Sequence, residues 1–376
     1  MTWMGYRKLF NWYENTCFYM KWPRINREYA YILSLFLVTR IALVIIGIIS
    51  KNIIDHEHYW DFSNYVWLNI WSVWDSGWYH GIAKNGYLTV DISKQSEFAF
   101  FPLYPLFMRG LGQIIGDVDL AGIVISNVSL LIACIILYRL AKLDADEAFA
   151  LRSVKFMMLF PTAFIYSGIF TESLFLALAL GCFYYSRLGK WYLVGILGFC
   201  LTLTRSLGIL ILLPMAYEYW KAKPPLRNAL FLIMIPLGLF AFMAFCYIRT
   251  GDPIAFVHVQ AAWGRVLVNP VVTIYKYLLC PEFIPQFLAV FALVSLGVMT
   301  IFVRRIRSSY WLFGICVLLI PLSTGIESMG RYPLTCWPLF LIPAQTTKYE
   351  ELLTVALALL QGGLMVFWCT GSHLIL

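Results

Sequence analysis

AYILSLFLVTRIALVIIGIIS, residues 30–50, is the stretch of sequence that sets the class of this protein. Arg40 is the only charged residue in it. A helix of about 20 mostly apolar residues is long enough to cross the hydrocarbon core of a bilayer. The stretch therefore predicts a transmembrane helix, and ten further apolar segments follow it along the chain.

The predicted spans leave little of the chain for a water-soluble domain. They are residues 30–50, 119–138, 154–170, 173–186, 191–204, 206–220, 229–248, 286–303, 309–325, 333–346 and 351–370. Hydrophobic residues make up 61% of the 376 residues and charged residues 13%, about half the fraction of a soluble domain. We expect a single-domain (1–376), all-α polytopic membrane protein whose surroundings are membrane lipids. The net charge of +8 is spread between apolar segments, so no nucleic-acid partner is expected.

Residues 98–116, FAFFPLYPLFMRGLGQIIG, are also apolar but contain Pro102, Pro105 and Arg109. We interpret them as an interfacial helix. With the N-terminus in the cytoplasm, this choice puts 18 basic residues inside and nine outside, and a spanning segment would reverse that bias. Two long outer segments result, 51–118 and 249–285, and long ordered loops usually carry function.

Asp75 is the first candidate for chemistry on the predicted outer side. It lies in WDSGWYHGIAKNGY, residues 74–87, between Trp74 and Trp78. A carboxylate among aromatic rings at a membrane surface can accept a proton from a sugar hydroxyl, and aromatic rings stack on sugars. The alternative is that Asp75 caps the helix that follows it, and the two roles are compatible.

Glu172, Arg205 and Arg331 are charged residues at the predicted outer ends of membrane helices. Ionisable residues at membrane depth are functional candidates, although a helix-start charge is the simpler reading for Glu172. Guanidinium groups bind phosphate through paired N–H donors, which suits a lipid-phosphate leaving group. Snorkelling of the arginines, or an ion pair with Glu172 or Glu327, is the competing interpretation.

His80, Lys84 and Arg265 are weaker candidates for substrate binding, because solvated loop residues have the same pattern. His80 and Lys84 follow Asp75 at spacings that let a helix direct them to one cavity. No His or Cys spacing typical of a metal site is present, and no cofactor-binding motif was found, so neither a metal nor a cofactor is expected.

Five blocks of sequence resemble the PIG-V family of mannosyltransferases. They are the run at 74–87, EFAFFPLYPL at 97–106, FPTAFIYSGIFTESLF at 160–175, TRSLG at 204–208 and GRYPL at 330–334. The resemblance implies a GT-C-type glycosyltransferase fold with interfacial helices in the first outer loop. It also implies that Asp75 and Glu172 match the two acidic residues of the family's site and Arg205 its basic residue. Leu207 departs from the pattern, where the family often has Asn.

The activity implied by the resemblance is an inverting transfer of mannose, or another hexose, from a polyprenyl-phosphate-mannose donor to a hydroxyl of a glycolipid or glycan acceptor. The site is expected on the extracytoplasmic face. A prokaryotic plasma membrane is preferred because the chain is short, with the endoplasmic reticulum as the eukaryotic alternative. A transporter or flippase for a lipid-linked sugar remains the second hypothesis, although such proteins place polar residues near the bilayer midplane.

Overall fold

Helices form the fold throughout residues 26–54, 61–89 and 91–372, the parts of the chain that the computed structural model describes. No strand occurs in those ranges. The α-helices are α1 (Arg27–Ile53), α2 (Val66–Asn69), α3 (Ser76–Asn85), α4 (Leu103–Ile115), α5 (Val118–Lys142), α6 (Glu147–Met158), α7 (Glu172–Arg187), α8 (Trp191–Thr202), α9 (Leu212–Ala222), α10 (Ala229–Thr250), α11 (Ala255–His258), α12 (Pro270–Leu278), α13 (Phe283–Ile301), α14 (Ser308–Leu322), α15 (Tyr332–Thr335), α16 (Leu341–Ala344) and α17 (Glu350–Cys369). Short 3₁₀ helices are Glu97–Ala99, Ala163–Ser167, Ser206–Ile211, Leu226–Asn228, Val259–Trp263, Val303–Arg305 and Trp337–Phe340.

Five helical segments within the described residues are long and apolar enough to cross a membrane. They are Arg27–Ile53, Val118–Lys142, Leu226–Thr250, Phe283–Ile301 and Glu350–Cys369. These helices confirm the predicted all-α membrane class, and the count of eleven spans stays a prediction. The N-terminal segment that is predicted to be cytoplasmic lies outside the described residues up to position 25.

Helix α4 coincides with the segment predicted to be interfacial. It begins after Pro102 and ends at Gly116, whose φ of 84° is the left-handed conformation in which helices commonly terminate. Its 13 residues measure about 20 Å, shorter than a hydrocarbon core of about 30 Å. Leu106 and Phe107 are exposed along it. Its location at the membrane interface stays a prediction, because only the helix itself is described.

Three of the predicted spans are broken and do not form continuous helices. Residues 154–170 end their α-helix at Met158, residues 206–220 begin as a 3₁₀ turn, and residues 333–346 form three short helical pieces. Proline accounts for the first and third breaks, since it disfavours helix in the residue before it and removes a backbone donor. Each break carries backbone groups that must find partners inside the protein.

The break between α6 and α7 is buried completely from residue 161 to residue 173. Arg40 of α1, itself buried, donates from Nη1 to the Ala163 carbonyl at 3.1 Å and to Ser167 Oγ at 3.1 Å. The Ile169 amide donates to the Trp71 carbonyl at 3.1 Å. The segment is therefore held from both sides, and it delivers Glu172 to the start of α7.

Glycine lets α8 and α10 approach closely. A Cβ added at Gly238 of α10 would lie 2.2 Å from Thr202 Oγ1 and 2.3 Å from the Phe199 carbonyl oxygen of α8. Close approach at small residues is a main source of helix association in membranes, where the hydrophobic effect between helices is lost. The position of α8 matters for the site because Arg205 follows it directly.

We predict that Gly238→Ala destabilises the protein by about 1–3 kcal/mol, because the methyl group meets backbone that cannot move aside. Gly297→Ala in α13 is the matched control, since a Cβ there meets nothing within 4 Å. The control is expected to be neutral or up to about 1 kcal/mol stabilising. Unfolding in mixed micelles measures both, and equal curves for the two variants would contradict the packing argument.

Candidate active site

A cavity of about 450 Å³ gathers residues from four separate parts of the chain. Asp75 and Tyr79 come from the first predicted outer segment, and Arg205 from the turn after α8. Arg265 comes from the second predicted outer segment and Arg331 from the turn before α15. The folded chain thus brings together residues up to 256 positions apart.

Glu172 lies directly beneath the cavity as the first residue of α7, and its side chain is fully buried. Its Oε1 accepts from Arg205 Nη1 at 2.6 Å and from Arg331 Nε at 2.9 Å. Oε2 has no hydrogen-bond partner among the described residues. One carboxylate therefore holds two guanidinium groups, and the ion pair anticipated as a competing interpretation of the arginines is present.

Asp75 and Glu327 are the two carboxylates that line the cavity, and Asp75 is the one that contacts Arg331. Its side chain is 32% exposed, whereas that of Arg331, to which Oδ2 is bonded, is 2% exposed. Asp75 occupies the N-cap position of α3 but makes no side-chain capping hydrogen bond. The capping alternative is therefore not realised, and the carboxylate is held by Arg331 instead.

Arg331 uses three of its nitrogens on the two carboxylates. Nε and Nη2 contact Glu172 Oε1, at 2.9 and 2.8 Å, and Nη1 contacts Asp75. Its guanidinium also lies over the Phe170 ring, 4.5 Å from the centroid. Arg205 is 14% exposed in its side chain and lines the cavity, with the Tyr332 ring 5.6 Å away.

The backbone is strained on both sides of the cavity. Trp74 and Ser328 have φ angles of 60° and 66°, a left-handed conformation that is costly for residues other than glycine. Both residues line the cavity. Trp74 precedes Asp75 directly, and Ser328 begins the turn that leads to Arg331. Strain of this kind persists only where the surrounding structure fixes it, and it is frequent at functional sites.

Aromatic rings form one wall beside Asp75. Trp78 stacks on Phe100 with centroids 5.5 Å apart, and Trp263 meets Trp78 edge-on at 5.8 Å. Arg265 lies on the same side and donates to Gln260 Oε1 at 3.1 Å and to Ser328 Oγ at 3.2 Å. The second predicted outer segment is thereby joined to the turn that carries Arg331.

Four of the residues predicted from sequence are not part of the cavity lining. Glu172 and Trp78 each contact a residue that lines it, Arg205 and Phe100, whereas His80 and Lys84 lie away from it. His80 turns to Asp119, with Nδ1 2.7 Å from Oδ1, and stacks on Phe62. Lys84 is exposed at the end of α3. Residues 76–85 form the helix α3, as the spacing predicted. Tyr79 lies on the face of α3 that lines the cavity, whereas His80, one residue later, contacts Asp119 of α5.

Tyr79, Gln260 and Tyr332 line the cavity and were not singled out in the sequence. Burial raises the pKa of Tyr79 to about 12, so its hydroxyl stays protonated at neutral pH. Tyr79 and Tyr332 were each adjacent to a residue already noted, Trp78 and Arg331, and that proximity was the available signal. No signal in the sequence pointed to Gln260, because its position depends on the fold of the second outer segment.

Among the residues that the structure describes, no group of three or more His, Cys, Asp or Glu side chains is arranged to hold a metal ion. Asp117 and Asp119, which form a DxD-like pair, have local partners. Asp117 accepts the Asp119 and Leu120 amides at the start of α5, and Asp119 holds His80.

The family model of the mannosyltransferases described as Mannosyltransferase (PIG-V) matches residues 57–249, about half of the chain. The chain belongs to this family. The matched range contains Asp75, Glu172 and Arg205, whereas Arg331 lies beyond it. The resemblance noted in the sequence is thereby confirmed, and the protein is a membrane-embedded member of this mannosyltransferase family.

Two solved structures of the Archaeoglobus fulgidus oligosaccharyltransferase resemble the fold. The first, tethered to an acceptor peptide, has 11% sequence identity and a TM-score of 0.46, and the match covers 91% of this chain and 55% of that one. The second, in complex with zinc and sulfate, has 12% identity and a TM-score of 0.40, covering 89% and 53%. The chain thus spans about half the length of these structures. No curated protein matched in a sequence search.

We predict that Glu172→Gln destabilises this family member by about 3–5 kcal/mol, because two buried guanidinium groups lose their shared countercharge. Glu282→Gln is the matched control, since Glu282 is exposed at the start of α13 and makes no capping hydrogen bond. Reversible unfolding in mixed micelles compares the two. Unchanged stability of Glu172→Gln would mean that the carboxylate is not what holds the arginines.

Proposed function

We propose that this protein transfers mannose from a polyprenyl-phosphate-mannose donor to a hydroxyl of a lipid-linked or glycan acceptor, with inversion at the sugar. The observation that carries the proposal is the meeting of Asp75, Arg205 and Arg331 at one cavity above buried Glu172. Membership of the mannosyltransferase family supports mannose as the transferred sugar. The polyprenyl-phosphate donor is the one that the family resemblance implies, and the arginines at the cavity suit its phosphate.

The reaction in this proposal is a single displacement. Asp75 accepts the proton of the acceptor hydroxyl while that oxygen attacks C1 of the sugar. The bond between C1 and the phosphate oxygen breaks, and the polyprenyl phosphate departs with the electron pair. Asp75 suits the role of the base because it lines the cavity and its Oδ2 is held by Arg331, whereas Glu172 is fully buried.

Arg331 has a different role in our proposal from the one expected in the sequence. Its guanidinium is almost completely buried and is engaged by Asp75 and Glu172 on three nitrogens. Reaching a phosphate would require it to release a carboxylate in a dry environment, which is costly. We therefore assign Arg331 to positioning the base, and Glu172 to holding both arginines.

Arg205 and Arg265 are then the cations for the donor phosphate. Arg205 lines the cavity with part of its side chain exposed and bonds Glu172 through Nη1. Arg265 bonds only the neutral groups of Gln260 and Ser328 among the described residues. A guanidinium that is not neutralised by a carboxylate attracts a phosphate most strongly, so Arg265 offers the larger share of that attraction.

The topology of the proposal follows the distribution of basic residues. The N-terminus would be cytoplasmic, and the cavity would open on the extracytoplasmic side, between the outer segments 51–118 and 249–285. The whole chain would act as a single membrane domain. Trp74 and Trp263 line the cavity and would supply the apolar surface on which a sugar ring packs, while Trp78 contacts Trp263 edge-on.

We predict that Asp75→Asn lowers transfer by about 10²–10⁴-fold, since the amide cannot accept the proton. The assay uses purified protein with polyprenyl-phosphate-mannose and candidate acceptors, with product detected by mass. Asp91→Asn is the matched control because Asp91 is exposed in the same predicted outer segment. Near-normal turnover by Asp75→Asn would remove this residue from the chemistry.

We predict that Arg265→Gln raises the KM for the donor by about tenfold or more, because a charge-assisted contact with phosphate is lost. Binding of polyprenyl phosphate alone, followed as thermal stabilisation of the protein, is expected to weaken by a similar factor. Arg227→Gln, exposed and outside the cavity lining, is the control. Equal donor KM in wild type and Arg265→Gln would assign the phosphate elsewhere.

A further inference from the structure

A second cavity of about 630 Å³ lies beside the first, in a groove between α4 and α10. Most of its lining is apolar and includes Pro105, Leu106, Leu203, Phe242 and Phe245. Leu106 is 57% exposed, so the groove opens towards the surroundings of the protein. Two arginines, Arg109 and Arg249, complete its lining.

Each of the two helices presents the same order of side chains to the groove. On α4, Leu106 is followed three residues later by Arg109. On α10, Phe245 is followed four residues later by Arg249. Side chains three or four apart share a helix face, so both walls change from apolar to cationic at one end of the groove. In the predicted topology this is the outer end of α10, at the depth of lipid headgroups.

The two guanidinium groups are bonded only to neutral carbonyl groups within the described residues. Arg109 donates from Nε to the Ala83 carbonyl at 2.7 Å and from Nη2 to the Lys84 carbonyl at 3.1 Å. Arg249 donates from Nη2 to the Tyr87 carbonyl at 2.8 Å. These contacts fix the two side chains around the end of α3. No carboxylate takes part in these contacts, and the remaining N–H groups are available for an anion.

An apolar groove with two fixed cations at one end matches a molecule with a hydrocarbon chain and a phosphate group. Guanidinium groups bind phosphate oxygens through several N–H donors, and burial of each methylene contributes about 0.8 kcal/mol. Anionic lipids are also attracted to basic side chains at a membrane surface. We propose that this groove binds one anionic phospholipid of the bilayer, with its phosphate at Arg109 and Arg249 and an acyl chain along Phe242 and Phe245.

A wall separates this groove from the catalytic cavity. The Leu103 amide donates to the Leu203 carbonyl at 3.0 Å, and the Phe101 and Phe242 rings lie 4.4 Å apart. A phosphate bound at Arg109 is therefore on the far side of this wall from Asp75. The occupant is a lipid of the bilayer, and it is not a donor positioned for transfer. The inference does not depend on the proposed function.

The bound lipid has a consequence for the neighbouring cavity. Phe101 lines the catalytic cavity and packs against Phe242, which lines the groove. A chain packed on Phe245, whose ring is stacked on that of Phe242 with centroids 6.1 Å apart, supports this wall from behind. We therefore expect the lipid to be retained as a structural part of the protein through extraction in mild detergent.

The test reconstitutes the protein in vesicles of phosphatidylcholine and phosphatidylglycerol, extracts it in mild detergent and counts bound lipids by native mass spectrometry. Wild type is expected to retain one phosphatidylglycerol. Arg249→Gln is expected to lower its retention about ten- to a hundredfold through loss of a charge-assisted contact. Ala241→Trp, which fills the groove without changing charge, is expected to lower it as well.

Arg227→Gln is the matched control, because Arg227 is exposed at the opposite end of the same candidate span, Leu226–Thr250. Equal loss of lipid in this control would assign retention to net charge and overturn the proposal. Unchanged retention in both Arg249→Gln and Ala241→Trp would overturn it too. Displacement of the phosphatidylglycerol by added polyprenyl phosphate would assign the groove to the sugar donor instead.

Discussion

The burial of Glu172 between two arginines is the constraint on which the rest of the site depends. A carboxylate without exposure is tolerated only when cations and hydrogen bonds replace water around it. Arg205 and Arg331 supply that replacement, and their segments must then converge on the start of α7. Asp75 is added to the same cluster through Arg331, so the more exposed carboxylate depends on the buried one for its place.

Irregular backbone is what allows these charges to meet. An interruption of an α-helix lies next to each of three charged residues, Glu172, Arg205 and Arg331. In continuous helices these residues would not meet at one point. Such interruptions persist in a membrane protein only where protein groups satisfy the freed backbone. One such group is Tyr166, whose hydroxyl donates to the Leu334 carbonyl at 2.6 Å. This hydrogen bond joins two of the interrupted segments.

The sequence was sufficient for the class of fold and for the charged members of the site. The apolar segments predicted the helices, and the few charged residues at the ends of those helices identified Glu172 and Arg205. The sequence did not show that these helices are interrupted, because Pro161 and Pro338 lie inside runs that are apolar throughout. It also could not orient α3, where a rotation of one residue decides between Tyr79 and His80. The sequence also could not predict which charged residues form ion pairs, because Arg331 and Asp75 are 256 positions apart.

Arg40 has a consequence for how the protein enters the membrane. An arginine at the centre of a first membrane helix adds about 2.5–3.5 kcal/mol to the free energy of insertion. Its partners Ala163 and Ser167 are more than 120 positions later, so they do not exist when α1 leaves the ribosome. Until the segment that precedes α7 has been synthesised, the Arg40 charge must therefore be stabilised by the insertion machinery or by the lipid headgroups.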